Sequence, residues 1–93
     1  MLTMELVKVR ANAHIPAVAG AIAKTCREHH RAEVQAIGPA AVNHAVKALI
    51  LATGYLKEDG IAVAFVPEFV ELIIEDKERT AIKFVVEPRE PIA

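Results

Sequence analysis

The chain is poor in cysteine and aromatic residues: one cysteine, one tyrosine, three phenylalanines and no tryptophan. A lone thiol, Cys26, excludes an internal disulfide and any thiolate cluster for zinc. Tyr55, Phe65, Phe69 and Phe84 mostly read as core, which leaves no evident aromatic platform for stacking single-stranded bases. No apolar run nears the roughly 18 residues of a membrane-spanning helix. No basic patch precedes an apolar stretch at Met1-Leu2-Thr3-Met4-Glu5, so no secretory signal is visible and a reduced, cytoplasmic setting is the default. Charge of one sign is lacking too. Eleven basic and twelve acidic residues leave a net charge of −1. That balance excludes a global cationic field of the kind that coats nucleic acid. Any such binding has to come from a local patch, weak and salt-sensitive. Amides are scarce as well (Asn12, Gln35 and Asn43), a sparing of labile side chains that suits a heat-adapted source.

What is present is enough for one domain. For 93 residues, surface scaling gives roughly 5,300 Å² folded against roughly 14,600 Å² unfolded, so about 64% of the chain's surface can be hidden. The expectation is a single domain over residues 1–93, with an ordered core from about 4 to 88 and a flexible, proline-containing tail from 89 to 93. Hydrophobic residues make up 54%, but 17 of them are alanines. A core of that kind is modest, and a partner chain would help it.

Periodicity gives the order of elements. Val7 and Val9 alternate with Lys8 and Arg10 in a strand from Met4 to Arg10. A helix follows from about Pro16, with Ile15, Val18, Ala19, Ile22, Ala23 and Cys26 on one stripe. Gly20 lies mid-helix, where a close approach of another element would justify it. Ala32–Ile37 is a second strand, closed by Gly38. Pro39 opens a second helix to about Thr53, with Gly54 as its stop. Between Ala40 and Ala52 only Asn43, His44 and Lys47 are polar, so this helix needs cover on more than one side. A second copy of the chain is the expected cover, which predicts a homodimer, with a tetramer left open. Lys57-Glu58-Asp59-Gly60 reads as a turn. Ile61–Ile74 is β-prone and interrupted by Pro67, which implies a bulge or an edge. Glu75-Asp76-Lys77-Glu78 makes a hairpin tip, and Arg79–Glu87 returns as a strand. The order β-α-β-α-β-β predicts an α/β two-layer sandwich: a four-stranded mixed sheet with two helices on one face.

Enzyme motifs are missing: no GxGxxG, P-loop, HExxH or CxxC occurs. The reading is therefore non-enzymatic, with no cofactor, metal or small-molecule substrate expected. Cys26 closes an apolar stripe and reads as core. His29 and His30 suit the negative end of the first helix; a metal there needs ligands that cannot be located. Glu68 and Glu71 read as a solvated strand face rather than a paired-carboxylate centre. Gly38-Pro39-Ala40-Ala41 lacks the Lys-Ser or Lys-Thr of a triphosphate cradle and reads as a helix cap. The basic and amide residues are more suggestive. Lys8 and Arg10 end the first strand, Asn12 and His14 occupy the next loop, and Asn43 and Lys47 share one helix face. Lys77 and Arg79 lie on a hairpin that could project as an arm. Ammonium, guanidinium and amide donors suit phosphate oxygens, and a β-arm can enter a minor groove.

Four segments, in order, carry a resemblance: Val18-Ala19-Gly20-Ala21-Ile22-Ala23, Ala32-Glu33-Val34-Gln35-Ala36-Ile37-Gly38, Val42-Asn43-His44-Ala45-Val46-Lys47-Ala48, and Glu78-Arg79-Thr80-Ala81-Ile82-Lys83 through Val86-Glu87-Pro88-Arg89. Over about residues 4–89 the sequence resembles the stage V sporulation protein S family. That family is similar in fold to the Alba chromatin proteins, small dimers that bind DNA or RNA. The resemblance implies a small cytoplasmic bacterial regulator linked to sporulation, with an Alba-like fold and a nucleic-acid partner. It implies contacts from Arg10, Asn12 and His14, from Asn43 and Lys47, and from Lys77 with Arg79. The first loop departs from its relatives: Asn12-Ala13-His14-Ile15 stands where serines and a lysine are usual. The competing expectation is a protein-interaction module of the same fold that binds no nucleic acid.

Overall fold

Alternation places Val7, Val9, Val34, Phe84 and Val86 on one side of the sheet, and two amphipathic helices cover that side. The computed structural model describes residues 6–90 as β1 (Leu6–Val9), α1 (Ile15–His29), β2 (Ala32–Ala36), α2 (Pro39–Glu58), β3 (Val63–Ile74) and β4 (Lys77–Pro88). The sheet runs β1-β2-β4-β3, with β1 and β2 parallel and the other pairs antiparallel. This is the anticipated two-layer sandwich. The first strand is shorter than anticipated: Arg10 has already left it, and Met4 and Glu5 lie outside the described residues.

Register sorts the faces. Val7 and Val9 lie beside Val34 and Ala36, while Ala32, Val34 and Ala36 face Val86, Phe84 and Ile82 on β4. These side chains share the helix side of the sheet, since laterally paired residues point the same way. Val9, Val34, Phe84, Val86 and Val63 are buried there beneath α1 and α2. The two helices meet through small residues. Ala19 and Ala23 of α1 and Ala41, Ala45, Ala48 and Ala52 of α2 are all essentially inaccessible. Alanine at these positions lets helix axes approach closely while costing no side-chain entropy.

Several local expectations change. Gly54 does not stop α2; the helix continues to Glu58. Its end is set at Gly60, whose φ of 74° is a left-handed conformation. The Ile61 amide donates to the Leu56 carbonyl and the Gly60 amide to the Lys57 carbonyl, the paired bonds of a Schellman cap. Gly20 is not a close-approach site either, because a Cβ there meets nothing within 4 Å. Pro67 causes no bulge: β3 and β4 pair without interruption from Val63↔Pro88 to Ile74↔Lys77. Its missing amide is harmless because β3 is an edge strand.

The tip is also tighter than anticipated. Lys77 and Glu78 already belong to β4, leaving Glu75 and Asp76 as a two-residue loop with φ of 51° and 61°. Positive φ at both central residues is the type I′ signature. At the other end of β4, Pro88 is still in the strand, and the Arg89 amide donates to the Ala62 carbonyl at 2.9 Å. Residues 91–93 of the anticipated tail lie outside the described residues.

Candidate nucleic-acid interface

Because β1 and β2 are parallel and each is followed by a helix, both strands finish at the same end of the domain, called here the exit end. Both helices begin there. The β3–β4 hairpin projects past the same end. Ile82 pairs with Ala36 near the exit of β2, so Arg79, three residues further, stands roughly 10 Å beyond it and Lys77 roughly 17 Å. Strand end, loop, helix starts and arm are therefore neighbours.

Side-chain parity then divides the candidates between two faces. Lys8 lies beside Gln35, which pairs with Lys83, which pairs with Glu68. This row crosses all four strands on the face away from the helices. Lys77 and Arg79, six and four residues before Lys83 on the same strand, share that open face and pair with Ile74 and Leu72. Arg10 joins Lys8 and Gln35 in lining one hollow of about 300 Å³. The Ala13 amide donates to the Arg10 carbonyl at 3.1 Å, closing a turn over exposed Asn12. His14 is the N-cap residue of α1 but makes no side-chain capping bond.

Asn43 and Lys47 take a different position. Both are exposed on the outer side of α2, away from the sheet. Asn43 sits roughly 6 Å and Lys47 roughly 12 Å from the helix start. They reach the exit end from the helix layer, across the sandwich from Lys77 and Arg79.

Ion pairs engage some cations and not others, and Lys57 and Arg89 at the far end are among those without one among the described residues. Away from the exit end, Arg27 binds Asp59 at 2.6 Å, Arg31 approaches Glu87 at 3.7 Å, and Lys24 approaches Glu28 at 3.9 Å. In the centre of the open face, Lys83 lies 3.1 Å from Glu68 and 3.8 Å from Glu33. The hydrogen bond that Lys83 donates to Glu68, and then the nearby Glu33 charge, hold the Lys83 ammonium above its ordinary pKa. By contrast Lys8, Arg10, Lys47, Lys77 and Arg79 form no ion pair among the described residues. Neither helix has an acidic residue in its first turn, so two positive helix termini add to the exit-end field.

Two of the hairpin's carboxylates lie on the face opposite Lys77 and Arg79, while Glu68 shares their face and is engaged by Lys83. Glu71 and Glu78 pair with Thr80 and Ile73 on the helix side, and Thr80 donates to Glu71 at 3.0 Å. Glu68 and Glu71 therefore point to opposite faces and form no catalytic pair. Among the described residues no group of His, Cys, Asp or Glu is arranged to hold a metal. Cys26 is buried, and burial raises its thiol pKa, as for a core residue.

One sequence expectation is overturned on the arm. Phe69 is not core; it is 78% exposed, with Ile73 at 76%. Ile50, at 61%, is the matching exposed residue on α2. Sequence reasoning also passed over Gln35, whose place between Lys8 and Lys83 depends on register and leaves no trace in any motif.

No helix among the described residues is long and apolar enough to cross a membrane. Over residues 5–89 the sequence matches the family described as Stage V sporulation protein S (SpoVS), and the chain belongs to that family.

Proposed function

We propose that this member of the stage V sporulation protein S family is a non-enzymatic, cytoplasmic, nucleic-acid-binding regulator that works as a homodimer. The observation that carries the reading is the gathering of unpaired cations at the exit end. Lys24, Arg27 and Arg31 at the far end and Lys83 in the sheet centre lie beside carboxylates. Lys57 and Arg89 at the far end have no ion pair among the described residues. Lys8, Arg10, Lys77 and Arg79, also without one among the described residues, are brought together by the strand ends and the arm. A chain of net charge −1 thus offers phosphate one local cationic rim, reinforced by two helix N-termini. Arg10, Lys77 and Arg79 supply charge, Asn12 and His14 supply donors beside it, and Asn43 with Lys47 extends the contact over the helix layer.

Dimerisation is supported by apolar surface without cover in one copy. Ile50 on α2 and Phe69 and Ile73 on the helix side of the arm are too large and too exposed to be incidental together. Covering them doubles the cationic rim, and two linked weak sites bind far better than one.

The test is a fluorescence-anisotropy titration with short DNA and RNA at low and physiological salt, with mass measured by sedimentation. Binding that falls steeply with salt, and further with Arg10→Glu or Lys47→Glu, supports the reading. No binding to either nucleic acid at any ionic strength refutes it and leaves a protein-interaction module.

A further inference from the structure

The hollow at the ends of β1 and β2 differs from the rest of the rim in being concave. It is a half-open depression of about 300 Å³ bordered by Lys8, Arg10, Gln35 and Ile37. Lys8 and Gln35 are lateral partners on adjacent parallel strands, so their side chains rise side by side about 4.8 Å apart. Arg10 stands two residues beyond Lys8, at the mouth. An ammonium, a guanidinium and a carboxamide therefore border one small volume. None of the three forms an ion pair or side-chain hydrogen bond among the described residues. The closest carboxylate on that face of β2, Glu33, is engaged by Lys83.

We propose that this hollow binds a phosphomonoester, and specifically the terminal phosphate of a nucleic-acid strand. Charge and shape both favour an end over an internal linkage. Two fixed cations match the charge of a monoester, about −1.5 to −2 at neutral pH, better than the single charge of a diester. Arg10 and Gln35 add planar N–H donors for the additional free oxygen. An internal phosphate has chain leaving on both sides and needs an open groove. On one side of this hollow stands the Lys83–Glu68 row, and beyond it the arm rises. A strand end needs only one way out. The hollow then fixes where a strand starts, and the arm with Lys77 and Arg79 lies along its next few phosphates. The assignment of the phosphate to a strand rests on the nucleic-acid reading above; the phosphomonoester chemistry does not.

The experiment compares one oligonucleotide carrying a 5′-phosphate with the same sequence carrying a 5′-hydroxyl, and both with a nucleoside 5′-monophosphate and inorganic phosphate. Amide shifts of Lys8, Arg10 and Gln35 are followed by NMR alongside affinity. The expected result is at least tenfold tighter binding of the phosphorylated strand at neutral pH. That advantage should shrink as pH falls through about 6, where the monoester takes up its second proton. Gln35→Ala should abolish the advantage while leaving binding of the hydroxyl-ended strand within about twofold. Lys8→Met should also abolish the advantage, with an equal added loss on both strands from the missing rim cation. Lys8 is exposed, so its variant keeps the fold even if Gln35→Ala does not. Equal affinity for the two strands overturns the proposal and leaves the nucleic-acid reading standing. A monophosphate that shifts the three amides while no oligonucleotide binds supports the phosphomonoester site and overturns the nucleic-acid reading. No shift with any phosphate overturns the site itself.

Discussion

If the exit-end cations each neutralise one phosphate, the salt dependence of binding counts them. Lys8, Arg10, Lys47, Lys77 and Arg79 correspond to a slope of log affinity against log salt near −0.9 × 5, about −4.5 per protomer on duplex DNA. A rise from about 50 to 200 mM salt is fourfold and weakens such binding about 500-fold. Arg79→Ala removes one contact, so the slope moves to about −3.6 and the same change in salt costs only about 150-fold. Arg79 is exposed and pairs only with Leu72 across the arm, so the change leaves the core intact. Arg31→Ala is the matched control: also exposed, but at the other end and already engaged with Glu87. Anisotropy titrations over five or so salt concentrations give both slopes. Equal slopes for Arg31→Ala and Arg79→Ala would refute the reasoning, because the loss would then report net charge rather than placement.

Other consequences follow from local structure. Asp76→Gly should stabilise the protein by about 1 kcal/mol, because a non-glycine residue at φ 61° bears a left-handed penalty; thermal unfolding should show a rise of about 4–8 °C. Gly20→Ala and Gly54→Ala should each add up to about 1 kcal/mol, since a Cβ at either position meets nothing within 4 Å. Sedimentation separates the two: Gly54 shares the outer side of α2 with Ile50, so its variant alone should weaken a dimer formed through that side. The pKa of Lys83 is raised by Glu68, so its contribution is fully present below the ordinary value of 10.5 and is lost only as pH rises through the higher folded value. Glu68→Gln should therefore lower the chemical-denaturation midpoint at neutral pH and flatten its alkaline decline. An unchanged midpoint would remove Lys83 from the list of stabilising groups.

The fold was legible because its signals are local and agree with one another. The stripe from Ile15 to Cys26, the prolines at both helix starts and the alternation in β4 each fix one element, and their order leaves few topologies. The misplaced boundary of α2 has a simple cause. Gly54 and Gly60 are both plausible stops, and only the bonds from Gly60 and Ile61 back to Lys57 and Leu56 decide between them. Phe69 was misread for a related reason. In β3 it shares the parity of buried Val63 and of Phe65, which point toward the helices. Composition cannot reveal that the helices end before the sheet does, leaving that parity facing water on the arm.

The site was legible as a set of residue types and illegible as a surface, because a surface is decided by register. Along the arm the order Lys77, Glu78, Arg79, Thr80 alternates positive, negative, positive and neutral, and read as a string it cancels. Pairing with β3 turns that alternation into segregation: Lys77 and Arg79 rise on the open face with Lys83, while Glu78 joins Glu71 on the other. A slip of one residue would exchange the faces and set both cations beside Phe69 and Ile73. The tight Glu75–Asp76 turn and the unbroken ladder to Val63↔Pro88 prevent that slip. Pro67 permits it no foothold, since a shifted β4 would lose the match between Phe84 and the apolar helix side. The cationic face is thus a product of the same hydrophobic register that buries Val34, Phe84 and Val86, so a nearly neutral chain can present a local positive field without spending charge elsewhere.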